Sequence, residues 1–308
     1  MSMVHAFEKL GYGSRDDYGL PDSGKSFPDG SHCRIEIAGV ENVLALEALT
    51  DEMQKRNIPI HRIISVVGGS SLLTKEELRT FARMAHDARL EVVINPNCSR
   101  GWDTGRQLTT SEGYVSGYRV RGLDKVTELM RDIDRCLQAG IRGFLVVDEG
   151  LLMALSQMKN NGDLPSEVVL KLSVFAGYGN PCGAKLAQEL GASTFNPLAD
   201  LSLPMLSSIR SAISIPMDVY AYLVDTMGGF NRFQEAAEIA RVAAPVYFKI
   251  EPGESEASLY KPWVHEFHAF WCREKVKHAQ IILEMIMEQN SNIKISDRGP
   301  DDLIIPSV

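Results

Sequence analysis

Eight short apolar runs, most of them separated by helix-like segments, constrain the fold of this chain more than any other feature. Seven runs stop at or near a charged or amide side chain, and the eighth, residues 61–69, ends in glycines. The seven are residues 35–39, 91–97, 144–150, 168–173, 193–200, 217–225 and 246–253. Apolar runs that alternate with helices predict parallel β/α units. Eight units predict an α/β fold, a single (β/α)8 TIM-type barrel, whose chemistry lies at the C-terminal ends of the strands.

The length of 308 residues fits one such barrel of about 250 residues with extensions. We expect an N-terminal arm over residues 1–32, either on the surface or folded over the barrel mouth or a partner subunit. The barrel should cover residues 33–290, including a last helix, and a tail should cover 291–308. Residues 97–122 form a long basic and aromatic loop, which predicts a lid or a subunit contact. The apolar end of the tail favours a homo-oligomer.

Composition excludes several classes of partner. Forty acidic against 32 basic residues give a net charge of -8, which argues against a nucleic-acid partner. No apolar run approaches the ~20 residues of a membrane span, and the N-terminus lacks the apolar core of a signal peptide, so we expect a cytoplasmic protein. Five scattered cysteines without a CxxC pair indicate reduced thiols rather than a zinc or iron–sulfur site.

Side chains alternate between the two faces of a strand, so each apolar run can be divided by parity. In the first strand, Ile35 and Ile37 should face the helices, and Glu36 should face the barrel interior. The same division turns a set of polar residues inward: Glu36, Asn95, Lys171, Asp218, Lys249 and Glu251, with Asp148 or Glu149 at the end of strand four. Buried charges must pair, become neutral or contact a ligand. The set therefore predicts either an active site or an internal salt-bridge network.

Four segments, residues 35–49, 72–97, 137–155 and 180–210, resemble the collagenase-like peptidase family, U32. The resemblance covers about residues 33 to 223, and it implies a barrel with peptidase activity. In some members it also implies hydroxylation of RNA or quinones with an iron–sulfur cluster. The family carries a His-Gly pair and several cysteines after strand seven, whereas residues 219–233 here contain neither His nor Cys. The resemblance therefore covers the barrel domain only, and a cluster is not expected.

The inward residues allow three functions. The first is a hydrolase of the U32 type acting on a small polar or acidic substrate, with carboxyl groups as acid and base and optionally a divalent metal held by carboxylates. The second is a Schiff-base carbon–carbon lyase that uses Lys171 or Lys249. The third is a non-catalytic metabolite-binding subunit of a complex. The candidate catalytic residues are Glu36, Asp148, Glu149, Lys171, Lys249 and Glu251. The candidate substrate-binding residues are Asn95, Asn196, Asp218, Tyr220, Arg100, Gly228 and Gly229, the glycines as a phosphate or carboxylate cradle.

Overall fold

The computed structural model describes residues 2–67, 69–96, 110, 119–255 and 265–308. Its eight strands are all parallel and follow one another around a closed barrel in chain order, with β8 paired to β1. The strands are β1 Cys33–Ala38, β2 Arg62–Ser65, β3 Glu91–Ile94, β4 Gly143–Val146, β5 Val169–Leu172, β6 Thr194–Phe195, β7 Met217–Tyr222 and β8 Val246–Ile250. The predicted (β/α)8 barrel is thus confirmed.

Helices connect the strands on the outside. In the described part of the chain they are α1 Met3–Glu8, α2 Val43–Arg56, α3 Lys75–Asp87, α4 Gly122–Gln138, α5 Glu149–Asn161, α6 Pro181–Glu189, α7 Leu203–Ala212, α8 Ala236–Ala243 and α9 His265–Gln289. The start of α3 shows how the sequence sets their limits. The Thr74 hydroxyl accepts a hydrogen bond from Glu77 N, and the Glu77 carboxylate accepts one from Thr74 N, which is the capping box that the sequence predicts. None of these helices is long and apolar enough to cross a membrane.

Strand parity divides the core as predicted. Ile35, Ile37 and Phe248 are fully buried in the large apolar layer between strands and helices. Glu36, between the two isoleucines, points the other way and meets charged side chains of the barrel interior. The chain therefore has an apolar outer layer and an inner layer that combines these charged side chains with an apolar cluster that includes Ile64, Val93 and Leu145.

The N-terminal ends of the strands are closed by the arm and the tail. Phe27 of the arm is buried, with its ring centroid 5.1 Å from that of Tyr247 on β8. Arg34 on β1 forms a bidentate ion pair with Asp302 of the tail, at 2.7 and 2.8 Å. Leu303 is buried against the same chain. Because the apolar tail packs on its own barrel, it gives no support to the predicted homo-oligomer, which stays a prediction.

Candidate functional site

An arginine that the sequence analysis did not single out organises the lower half of the barrel interior. Arg62, at the start of β2, donates from Nη1 to Glu36 Oε2 and to Asp218 Oδ1, both at 3.0 Å. Its Nε donates to Glu91 Oε1 at 2.5 Å. The guanidinium lies 3.8 Å from the centroid of the Tyr247 ring. One cation thus serves three carboxylates on three different strands.

Lys171, on β5, joins the same network from the opposite wall. Its Nζ lies 3.1 Å from Glu36 Oε1 and 2.5 Å from Asp218 Oδ2, and all three side chains are completely buried. Burial lowers the pKa of Lys171 and raises that of Asp218, in each case against the attraction of the other. Burial also opposes ionisation of Glu36, but Lys171 and Arg62 outweigh it and hold its pKa below the usual value. For these residues the geometry matches the salt-bridge network that the sequence analysis proposed as one interpretation.

A second cluster lies farther along β7 and β8, toward their C-terminal ends. Tyr220 and Lys249 are register partners on these neighbouring strands, and Glu251 follows Lys249 on the same face of the chain. Lys249 Nζ lies 4.4 Å from the centroid of the Tyr220 ring and 3.8 Å from Glu251 Oε2. The Tyr220 hydroxyl donates to that same carboxylate oxygen at 3.1 Å. Amine, phenol and carboxylate therefore form one compact group, which we call the upper cluster.

The upper cluster differs from the Arg62 network in how its charges are held. Among the described residues, none forms a hydrogen bond with the Lys249 amine, because 3.8 Å to Glu251 exceeds hydrogen-bonding distance. Glu251 Oε1 is buried and has no hydrogen-bond partner in the described part of the chain. The exposed fractions are only 2% for Lys249, 1% for Tyr220 and 0% for Glu251. The Lys249 amine and the Glu251 carboxylate are thus buried together, and the amine and Oε1 have no hydrogen-bond partner among the described residues.

Asn196, just after β6, is bonded to β7 two residues before Tyr220. Its Nδ2 donates to the backbone oxygen of Asp218 at 2.7 Å and to that of Pro197 at 3.3 Å. Its Oδ1 is buried and accepts no hydrogen bond from any described residue. The side chain is therefore fixed by its donor end, and its acceptor end remains available.

Three other predicted residues support the strand ends. Asn95 donates from Nδ2 to Val66 O at 2.9 Å, which ties β3 to the end of β2. Asp148 is the N-cap of α5, where its Oδ1 accepts from Leu151 N at 3.1 Å. The Glu149 carboxylate accepts from both terminal nitrogens of Arg119. Each side chain already has a structural partner.

The Arg119 contact also sets the ionisation of Glu149. Burial alone would raise the pKa of Glu149, but the hydrogen bonds from Arg119 outweigh it and lower the pKa. Burial, together with the hydrogen bond to that carboxylate, raises the pKa of Tyr178 to about 12. Glu149 is therefore held as an anion, which suits a structural acceptor better than a general acid.

The glycines of the predicted cradle use their backbone amides within their own turn. Gly228 N donates to Asp225 O at 3.0 Å and Gly229 N donates to Val224 O at 3.1 Å, so the turn itself uses both amides. Gly229 has φ of 61°, which suits glycine. Arg100 and most of the predicted lid loop lie outside the described residues.

The residues described by the structure include no group of three or more His, Cys, Asp and Glu side chains arranged to hold a metal ion. Cys33, Cys136 and Cys272 are buried as single thiols, and Cys182 is exposed. The residues described here do not fit an iron–sulfur cluster, and we derive no chemical step through one.

No protein-family model matches the chain, and no curated protein matches it significantly. Solved structures do match. A U32 peptidase is 15% identical, with 77% of this chain and 99% of that chain covered and a TM-score of 0.43. A proposed fructose-1,6-biphosphate aldolase from Coccidioides immitis is 11% identical, with coverage of 83% and 93% and a TM-score of 0.53. A 2,3-dimethylmalate lyase is 12% identical, with coverage of 90% and 90% and a TM-score of 0.44.

The aldolase match, with its TM-score of 0.53, supports the barrel fold and nothing finer. The barrel that the U32 resemblance implied is confirmed. Membership of that family stays a prediction.

Proposed function

We propose that this protein is a Schiff-base carbon–carbon lyase whose nucleophile is Lys249. One observation carries the proposal: a buried amine near the C-terminal end of β8 lies beside a phenol and a carboxylate that are hydrogen-bonded to each other. This is the end of a barrel where catalytic side chains are found. An amine attacks a carbonyl only when it is not consumed by other bonds, and Lys249 meets that condition among the described residues.

The other candidate lysine is less suitable. Lys171 Nζ lies within 3.1 Å of one carboxylate and 2.5 Å of another. Attack on a carbonyl requires the amine to turn away from both, which would leave Arg62 as the ion-pair partner of Glu36 and Asp218, with a weaker attraction of Glu36 by Lys249. Removal of one partner from a buried ion pair is strongly destabilising. We therefore assign Lys171 a structural role.

The reaction begins with attack of the unprotonated Lys249 amine on the substrate carbonyl carbon. The carbonyl oxygen takes one hydrogen from the amine and one proton from solvent and leaves as water, and a protonated imine remains. The Glu251 carboxylate then removes the proton from a hydroxyl group on the second carbon from the imine carbon. The bond between that carbon and the carbon next to the imine breaks, an aldehyde leaves, and the bonding electrons move toward the imine to give an enamine. Glu251 returns its proton to the enamine carbon, and water hydrolyses the protonated imine to release a ketone, the amine and the proton taken from solvent.

Tyr220 positions the carboxylate in this scheme. Its hydroxyl bonds to Glu251 Oε2, and this leaves Oε1 as the atom that exchanges the proton. Hydrolysis, the class expected first from the sequence, has less support, because Asp148 caps a helix and Glu149 is bound by Arg119. Asp148 and Glu149 are therefore already bound to structural partners, and Glu36 is held by Arg62 and Lys171.

Borohydride reduction tests the proposal, because it converts an imine into a stable secondary amine whose mass can be measured. In the presence of a small ketone, the wild-type protein should gain the mass of that ketone less one oxygen atom, because water is lost and two hydrogen atoms are added, and Lys249→Met should gain none. Lys55→Met is the matched control, because that side chain is 73% exposed, and it should label like the wild type. Circular dichroism checks that each variant is folded. Equal labelling of Lys249→Met and wild type would contradict the assignment.

A further inference from the structure

We infer that the substrate is a neutral hydroxyketone that carries a hydroxyl group next to the carbonyl, and that Asn196 and Glu251 accept hydrogen bonds from its hydroxyls. This inference rests on the proposed lyase function and names its substrate class. It starts from two buried acceptor atoms, Asn196 Oδ1 and Glu251 Oε1, that have no hydrogen-bond partner among the described residues. Buried polar atoms in folded proteins are almost always paired, so two unpaired acceptors at one site point to a ligand.

The orientation of both groups is fixed by bonds at their other ends. Asn196 Nδ2 faces two backbone oxygens, those of Asp218 and Pro197. A rotated amide would place its oxygen against these acceptors, so Oδ1 must point away from them. Glu251 Oε2 is occupied by the Tyr220 hydroxyl. The free atoms are therefore an amide oxygen and a carboxylate oxygen, and both accept hydrogen bonds.

The two acceptors lie after the strands on either side of β7, the strand that carries Tyr220. Asn196 follows β6 and bonds to the backbone of Asp218 on β7. Tyr220 lies two residues farther along β7, and its register partner is Lys249 on β8. Glu251 lies two residues beyond Lys249. Lys249 and Glu251 thus lie at the end of one strand, and Asn196 lies on the other side of β7; we place the substrate hydroxyls between these groups.

The chemistry of the acceptors selects among ligands. A carboxylate or phosphate next to the carbonyl offers only acceptor atoms at neutral pH and would place a negative charge against Glu251. An ammonium group would lie beside the positive charge of the imine. A hydroxyl group donates to either oxygen and adds no charge. Cleavage by the proposed route additionally requires a second hydroxyl, two carbons from the carbonyl, whose proton Glu251 removes.

Trapping with three small probes tests this inference. Acetone, pyruvate and dihydroxyacetone are each titrated with borohydride present, and the concentration that gives half-maximal labelling of Lys249 is measured. Dihydroxyacetone should need a concentration about tenfold lower than acetone, since each hydrogen bond to a charged acceptor strengthens binding by about this factor. Pyruvate should label no better than acetone.

Substitution of Asn196 tests whether its amide oxygen causes the tighter binding of dihydroxyacetone. Asn196→Leu should raise the half-maximal concentration of dihydroxyacetone about fivefold and leave that of acetone within about twofold, since only the first probe uses the amide oxygen. Asn160→Leu, at an exposed position on α5, is the control. Equal or tighter labelling by acetone or pyruvate in the wild type overturns the inference but leaves the lyase proposal standing. Failure of all three probes to label Lys249 overturns both.

Discussion

Replacement of Lys171 by methionine tests whether the lower half of the barrel is held by ion pairs. The Lys171 side chain is completely buried, with Glu36 Oε1 at 3.1 Å and Asp218 Oδ2 at 2.5 Å. In Lys171→Met, the Arg62 guanidinium must neutralise these two carboxylates and Glu91, and Lys249 contributes a weaker attraction to Glu36. Removal of one partner of a buried ion pair costs about 3–5 kcal/mol. At roughly 2 °C per kcal/mol for a chain of this size, the melting temperature at pH 8 should fall by about 6–10 °C.

The pH dependence of the stability loss in Lys171→Met provides a second test. Burial already raises the pKa of Asp218 in the folded protein, and loss of the Lys171 ammonium raises it further. A carboxyl group whose folded pKa is raised stabilises the protein below its unfolded pKa, and that stability is lost as pH rises through the folded value. Lys171→Met should therefore be closer to wild type at pH 5 than at pH 8.

Urea and thermal unfolding at the two pH values measure these effects. Lys55→Met, at an exposed site, is the control and should stay within about 0.5 kcal/mol of wild type. A second substitution, Asp218→Asn, should restore part of the stability that Lys171→Met loses, because it removes one of the unpaired charges. If Lys171→Met is as stable as Lys55→Met at both pH values, the ion-pair account of the barrel interior is wrong.

Three further predictions concern stability. Burial lowers the pKa of His61 to about 4, so the stability of the wild type should fall as pH drops from about 6.5 toward 4. In urea unfolding, His61→Gln should show a smaller loss of stability over this pH range. An equal loss in the variant and the wild type would contradict the assignment to His61. Asp302→Ala should cost about 1–3 kcal/mol, because it removes the bidentate partner of the buried Arg34 guanidinium, whereas the fully exposed Asp301→Ala should change little in the same melt. Thr74→Ala should cost about 1 kcal/mol through loss of the capping box, and Thr74→Ser should retain most of that stability.

Local geometry explains why the sequence predicts the barrel and its two faces. Alternation along a strand is a fixed property of extended backbone, so Ile35 and Glu36 had to lie on opposite sides. The polar residues near the strand ends then followed from the same rule. The Thr74 and Glu77 pair could be read directly, because a capping box acts over three residues.

Pairing across the barrel could not be predicted in this way. Lys171 and Lys249 look alike in sequence, since each interrupts an apolar strand. Their different surroundings depend on the register between strands in the closed barrel. This register places Lys171 between two carboxylates and Lys249 beside the Tyr220 phenol. Arg62 was overlooked because it begins its strand, whereas the expected signal lay at strand ends. Parity applied to residues 61–67 would have turned it inward with Ile64.

The position of the C-terminal tail could not be predicted from the sequence either. The apolar character of Leu303 to Pro306 indicates burial, but composition does not say which surface covers it. The structure places this segment on the barrel of its own chain, where Ile304 N donates to Glu91 Oε2 at 3.1 Å. The tail and the Arg62 network therefore meet at Glu91, a residue that the sequence analysis did not propose for the site.

The proposal that Lys249 is the nucleophile is tested most directly by identifying the lysine that forms an imine. Wild-type protein is reduced with borohydride in the presence of dihydroxyacetone and digested, and the peptides that contain Lys171 and Lys249 are compared by mass spectrometry. We expect a reduced adduct on Lys249 and an unmodified Lys171. An adduct on Lys171, or none on Lys249 at saturating ketone, would contradict the proposal.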